Sequence, residues 1–311
     1  MSKLNTANPA WWRLLAPQHW PTWLAFLTLR LLSLLPYSLM LKLGPILGHL
    51  LMSVWGSRRS YVDQNLKCCF PEMEKSKRLA LRKKNFESLG IGLFELVVSW
   101  WGRESLITEL SHVKGLEHLE AAKAKGKGVI LLCAHFTTLE ISGRFLRQHT
   151  EFTPIYRKSK NPVAEHQIVY WRSRKLGPMI HRKNLRNMMR TLRKNGVIWM
   201  LPDQNSNRAA GIFAKFFGIE ASTSTGLSRL AQFTESAIVP FRVTRRAKGD
   251  GYDICFFPAL ENFPSADIID DTQRINDIIE SWAREYPEQY LWIHRRFRTR
   301  PDPDAPLFYD K

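Results

Sequence analysis

His135 and Glu140 are the residues of this chain whose types and spacing first suggest chemistry. A neutral imidazole can take a proton from a hydroxyl or a water when a carboxylate orients the ring and stabilises the imidazolium that forms. A five-residue step along one helix turns about 500°, which would point the two side chains apart. With His135 in a turn and Glu140 in the first helical turn, the carboxylate can reach back to the ring. The pair then reads as a general base and the acid that orients it. The same spacing also suits a strand-end histidine that caps the next helix. Asp203 is a third candidate. It follows the apolar run VIWML (197–201) and Pro202, which places it at the end of a strand, on the same sheet edge as His135. Capping or holding a loop is its plainer role. The chain has no H-E-x-x-H and no third ligand at motif spacing, so neither a metal nor a cofactor is expected.

The charge around these residues is lopsided. Residues 144–215 carry sixteen Lys and Arg against three acids, Glu151, Glu165 and Asp203, within a chain whose formal charge is +18. Such a run usually solvates a face. This one brackets the candidate strands, where a substrate of His135 would have to lie, so it points to an anionic substrate or partner. The pI of about 10.0 also raises nucleic-acid binding. No helix-turn-helix, zinc-finger or RNA-binding signature supports it.

The elements that must position these residues can be read from periodicity. Gly128–Cys133 (GVILLC) and Val197–Leu201 are compact apolar runs of buried strands. Phe152–Tyr156, Ala237–Val243 and Tyr252–Phe257 are further strands, Met179–Ile180 a short extended piece, and Tyr290–His294 a closing strand. Helices are predicted at Glu74–Trp101, Leu116–Lys125, Thr138–Gln148, Asn161–Lys175, Asn184–Asn195, Ser222–Thr234 and Thr272–Glu285. The alternation describes an α/β domain on a mostly parallel central sheet flanked by helices.

Ahead of it lies the most apolar part of the chain. Trp23–Leu35 and Leu39–Trp55 are apolar runs separated by Pro36, and five of the eleven tryptophans (Trp11, Trp12, Trp20, Trp23, Trp55) fall within residues 1–55. The tryptophan pairs and Arg30 suit an uncleaved anchor better than a signal peptide. Residues 1–56 are therefore read as an N-terminal hydrophobic membrane-anchoring region, tilted through the bilayer or lying in its interface. Residues 57–311 are read as the catalytic domain. Arg58 and Arg59 would put it on the cytoplasmic side. A buried helical hairpin of a soluble protein is the alternative. Composition (44% hydrophobic, 24% charged) excludes a disordered or collagen-like chain. Four cysteines without a C-x-x-C pair suggest a reducing compartment and no disulfide framework.

An ordered set of strings now carries a resemblance: HFTTLE (135–140), YRKSKNP (156–162), LPDQN (201–205), STSTG (222–226), VPF (239–241) and PEQYLWIHRRFRTRP (287–301), with NLKCCFPE (65–72) before them. Together they resemble the late acyltransferases of bacterial lipid A synthesis, the lauroyltransferase branch most of all, over residues 10–303. That resemblance implies an enzyme anchored on the cytoplasmic face of the bacterial inner membrane. It implies transfer of a fatty acyl chain, lauroyl first, from acyl carrier protein to the hydroxyl of an acyl chain on a Kdo-bearing, bis-phosphorylated lipid A precursor. His135 would be the base and Glu140 the residue that orients it. Arg172 and Asp203 would complete the site, and Arg157, Lys158 and Arg174 would contact anionic groups. Anionic inner-membrane lipid would be a further partner, and nucleic acid none. Ala134 and Glu140 stand where wider relatives often have asparagine and aspartate, which moves the chain away from glycerol-phosphate acyltransferases. The alternatives are an acyltransferase for another glycolipid such as phosphatidylinositol mannoside, a hydrolase in which His135 activates water, and a non-catalytic basic protein that binds membrane surfaces or nucleic acid.

Overall fold

The structure, a computed structural model, describes residues 11–309; residues 1–10 of the expected anchor region lie outside it. A 3₁₀ turn at Trp11–Leu15 leads into α1 (Trp20–Leu32), α2 (Tyr37–Val54), α3 (Gly56–Cys69), α4 (Lys75–Trp101) and α5 (Glu104–Glu109). The α/β part follows: β1 (Ser111–Lys114), α6 (Leu116–Ala124), β2 (Val129–Leu132), α7 (Leu139–His149), β3 (Thr153–Tyr156), α8 (Pro162–Leu176), β4 (Ile180–His181), α9 (Leu185–Arg193) and β5 (Val197–Met200). A two-stranded hairpin, β6 (Gly211–Phe216) and β7 (Ile219–Ser224), precedes α10 (Gly226–Thr234), β8 (Ala237–Arg245), β9 (Tyr252–Phe256) and α11 (Ile268–Glu285).

The seven-stranded sheet runs β1-β9-β8-β2-β5-β3-β4. Every neighbouring pair is parallel except β8 and β9. The apolar run of β2 explains its central place. Ile130 and Leu132 point into one core layer and Val129 and Leu131 into the other, and all four are fully buried. A strand apolar on both faces can only sit between two helical layers. Its neighbours are β5 and β8, with Leu132 level with both Met200 and Pro240. The residues that follow β2 and β5 therefore emerge side by side at the carboxyl edge, where open α/β sheets place their sites.

Besides α3 and α5, which the sequence reading did not assign, three elements depart from it. The hairpin β6–β7 occupies the stretch before α10, so residues 222–224, expected in a helix, are strand. β1 was not expected at all; three half-buried residues and the exposed Lys114 carry too little pattern to show it. Tyr290–His294 is not a strand. Tyr290 makes one isolated bridge to Phe136 and the chain then turns. Two buried asparagines take the place of a strand partner. Asn85 of α4 donates to the carbonyls of Glu288 (2.9 Å) and Tyr290 (2.7 Å), and Asn65 of α3 to those of Trp292 (2.7 Å) and His294 (2.9 Å). Buried carbonyls need such donors, so the segment follows the asparagines rather than a sheet edge.

α2 is long and apolar enough to cross a membrane by length and composition, with 17% of its residues buried, and is the candidate anchor.

Candidate active site

His135 stands three residues beyond β2 and Asp203 three beyond β5. Parallel pairing continues past the strands, with the Cys133 amide donating to the Met200 carbonyl at 3.0 Å, and it brings the two residues together across 68 positions of sequence. The contact is two-pronged. Asp203 Oδ1 lies 2.6 Å from His135 Nδ1, and Oδ2 accepts the His135 backbone N–H at 2.9 Å. Tyr290 donates its hydroxyl to the same Oδ2 at 3.2 Å. Asp203 is 2% exposed. Burial alone would push its carboxyl up. The His135 charge, the side-chain and backbone hydrogen bonds from His135 and the Arg296 charge together outweigh that and hold the carboxyl below its ordinary value. Asp203 is therefore an anion at neutral pH, and its geometry fixes the proton of a neutral His135 on Nδ1. Nε2 is left as the basic nitrogen, on a side chain 19% exposed.

The loop carrying His135 is clamped by the segment after α11. The Leu291 amide donates to the His135 carbonyl (3.0 Å), the Thr137 amide to the Gln289 carbonyl (2.8 Å), and Tyr290 packs edge-on against Phe136. His294 approaches from the same segment. Its Nε2 accepts the Asn205 amide at 2.9 Å, and burial lowers its pKa to about 4, so it is a neutral fixed acceptor. Asn65, His135, Asp203, Gln204, Tyr290 and His294 line a small cavity. From Gln204 and His294 an open groove continues past Leu291 and Ile293 to Arg58 and Trp55, at the end of α2.

Glu140 is not the carboxylate that holds His135. It sits in the first turn of α7 and accepts hydrogen bonds from Arg172 of α8, from Nε at 3.2 Å and from Nη2. The expected His135–Glu140 pairing is thus corrected to two pairs, His135–Asp203 and Glu140–Arg172. The physical reason lies in the sheet. β5 delivers Asp203 directly beneath the imidazole, whereas α7 carries Glu140 towards α8, which packs beside it. Burial would lower the Arg172 pKa, but the Glu140 charge and hydrogen bonds raise it on balance, so the guanidinium is a fixed cation.

Arg157 and Lys158 are exposed at the carboxyl end of β3, on the site's edge of the sheet. Arg174 is not brought to Arg172. Two residues along a helix turn about 200°, and its Nη1 donates to the Tyr170 hydroxyl (2.9 Å) on the outer face of α8. Part of the basic run proves internal: Arg144 is 2% exposed and bound to Glu104 at 2.6 Å. Cys133, two residues from His135, is no nucleophile, because burial pushes its thiol up to about 12.

Tyr290, His294 and Asn65 were not singled out from the sequence. Their only signal was that they fall within the ordered strings, in NLKCCFPE and PEQYLWIHRRFRTRP.

The sequence has counterparts among known proteins. Residues 8–299 match the family described as bacterial lipid A biosynthesis acyltransferase. The chain belongs to that family. It is 35% identical to the lipid A biosynthesis lauroyltransferase of Escherichia coli strain K12, over 93% of this chain and 95% of the relative. It is 33% identical to the lipid A biosynthesis palmitoleoyltransferase of the same organism, over 94% and 96%. A lipid A biosynthesis acyltransferase of Haemophilus influenzae is 32% identical over 95% and 96%.

Proposed function

We propose that this acyltransferase moves a fatty acyl chain, lauroyl first, from acyl carrier protein to a hydroxyacyl hydroxyl of a Kdo-bearing lipid A precursor. Residues 1–56 attach it to the inner membrane, and residues 57–311 work on the cytoplasmic face. The observation that carries the chemistry is the His135–Asp203 pair, with Nε2 left basic. Nε2 takes the acceptor hydroxyl proton as the oxygen attacks the thioester carbonyl carbon. The tetrahedral intermediate collapses, the C–S bond breaks, and the leaving thiolate receives that proton from the imidazolium. The products are an ester and the carrier thiol. Asp203 stabilises the imidazolium. Arg172, held charged by Glu140, faces the developing oxyanion or a precursor phosphate. Arg157 and Lys158 at the rim favour the same anionic substrate. The donor carrier is acidic, which suits the exposed Arg186, Arg190, Arg193 and Lys194 of the α9 region.

The test is an assay of the detergent-solubilised protein with lauroyl- and myristoyl-acyl carrier protein and the Kdo-bearing precursor, read by mass spectrometry beside His135→Ala. The expected result is a gain of one acyl chain on the acceptor, reduced on the order of 10²–10⁴-fold in the variant. Loss of acyl groups from the donor with no acylated acceptor would indicate a hydrolase. Product unchanged in His135→Ala would overturn the mechanism.

A further inference from the structure

α1 and α2 present two opposed faces. One is packed on the α/β body. Along α2, Met40, Gly44 and Gly48 are buried against α4. The approach is backbone to backbone. A Cβ added at Gly90 of α4 would lie 2.0 Å from the Gly44 carbonyl oxygen, and one at Gly48 would lie 2.1 Å from that of Phe86. Polar links lock the same face. His49 meets Glu87 at 2.8 Å, and the Tyr37 hydroxyl meets that of Tyr252 on β9 at 2.8 Å. α1 is held likewise. Phe26 stacks on Trp100 at 5.9 Å, Arg30 lies over Trp101 at 5.7 Å, and Asn161 donates to Thr22 at 2.8 Å.

The opposite face is bare and mostly apolar, interrupted on α2 by the exposed Lys42 and Ser53. On α1 it is the stripe Trp20, Leu24, Leu27 and Leu31; on α2 it is Leu39, Ile46, Leu50 and Val54. These residues are 38–64% exposed, and Leu34 between the helices is 71% exposed. Twelve of the eighteen exposed large apolar side chains among the described residues lie between Trp12 and Trp55. The rim is aromatic and basic: Arg13 stacks on the exposed Trp12 (5.2 Å), and exposed Arg58 and Arg59 follow Trp55. The first acid of the chain is Asp63. An apolar face with a tryptophan and arginine rim and no acid is complementary to an anionic lipid surface.

We propose that α1 and α2 lie in the plane of the cytoplasmic bilayer interface and do not cross it. This deepens the membrane attachment proposed above and rests on it. α1 has 13 residues, about 20 Å, too short for a hydrocarbon core of about 30 Å. α2 is long enough, but it cannot leave α4, whose face carries Glu87 and the buried Glu95. A spanning α2 would drag those acids into hydrocarbon, and with them the exposed Lys42 on its own surface. In the plane of the interface, Lys42 reaches the headgroups and the packed face stays in the protein. The groove that ends at Arg58 and Trp55 then runs from the membrane surface to Gln204 and His294, which also line the small cavity at His135.

The test is depth measurement by electron paramagnetic resonance. Nitroxide labels are placed on Leu24→Cys, Leu34→Cys, Ile46→Cys and Val54→Cys in the full chain carrying Cys68→Ser and Cys255→Ser. Cys69 and Cys133 are buried and out of reach of label. Vesicles of phosphatidylethanolamine and phosphatidylglycerol are used, and circular dichroism and gel filtration check each variant. All four labels are expected about 5–10 Å below the phosphates. Ile46 near the midplane, with Leu34 and Val54 at opposite interfaces about 27 Å apart, would overturn the in-plane arrangement alone. Failure of the unlabelled chain to bind vesicles at all would overturn membrane attachment with it. A Leu27→Glu, Ile46→Glu double variant should bind vesicles at least tenfold more weakly.

Discussion

Replacing Asp203 by asparagine isolates the carboxylate that the structure assigns to His135. The substitution keeps the shape but changes one of two acceptor atoms into a donor. Asp203 accepts three hydrogen bonds, from His135 Nδ1, the His135 amide and Tyr290. If the new amide nitrogen faces Nδ1, the ring takes the tautomer protonated on Nε2 and can no longer accept a proton there. If it faces the backbone N–H, two donors oppose each other and the 135–137 loop shifts. The lost charge can be sized. Imidazolium and carboxylate centres about 4 Å apart interact by about 4 kcal/mol at an effective dielectric of about 20. At about 1.4 kcal/mol per decade this corresponds to about 10³-fold in kcat. The acyl-transfer assay should therefore show Asp203→Asn about 10³-fold slow, and combining it with His135→Ala should add little, because the two act as one unit. A thermal melt separates this from unfolding. Asp203→Asn within tenfold of the parent, with Glu140→Gln as slow as His135→Ala, would refute the pairing and restore Glu140 as the orienting acid.

Four further outcomes follow. Glu140→Gln should release Arg172 and cost up to about 10²-fold in kcat/KM through misplacement, while stability falls by no more than about 1 kcal/mol because both side chains are about a quarter exposed; equal rates would remove Arg172 from the site. His294, lowered to about 4, binds fewer protons folded than unfolded between pH 4 and 6.5, so stability falls as pH drops through that window, by up to about 3 kcal/mol. The fall should be shallower in His294→Gln, and identical melting curves against pH would show that His294 carries none of it. Glu95→Ala would strip the buried partner of Arg245 (2.7 Å) and of Tyr252 (2.7 Å), and calorimetry should show a loss of about 3–5 kcal/mol; a loss under about 1 kcal/mol would mean the network relaxes. Cys133→Ala should leave acyl transfer within about twofold, since a buried protonated thiol takes no part; a loss on the scale of His135→Ala would make Cys133 the nucleophile.

The legible part of this fold was the part whose pattern is local. β2 and β5 were readable because strands buried on both faces are continuous apolar runs, and α8 because Asn161 and Pro162 announce its start. Asn161 indeed accepts from the amides of Val163 (3.0 Å) and Ala164 (3.1 Å). The hairpin β6–β7 was hidden because ASTST reads equally as strand or helix until Asn276 of α11 packs beside Thr223. Tyr290–His294 has the composition of a strand, yet two buried asparagines from distant helices satisfy its carbonyls instead.

For the site, the sequence alone determined that His135 and Asp203 stand on one sheet edge, that a basic run accompanies them along the chain, and that the ordered strings belong together. It could not determine which carboxylate holds the imidazole. Glu140 is five residues away and Asp203 sixty-eight, and proximity along the chain favoured the wrong one. Strand order decided the matter. With β5 hydrogen-bonded beside β2, the two loops leave the sheet one strand spacing apart, so Asp203 reaches His135 while α7 turns Glu140 to Arg172. The same holds at the N-terminus, where hydropathy marks α2 as able to span, and only the glycine-to-glycine contact with α4 reveals that one of its faces is already taken.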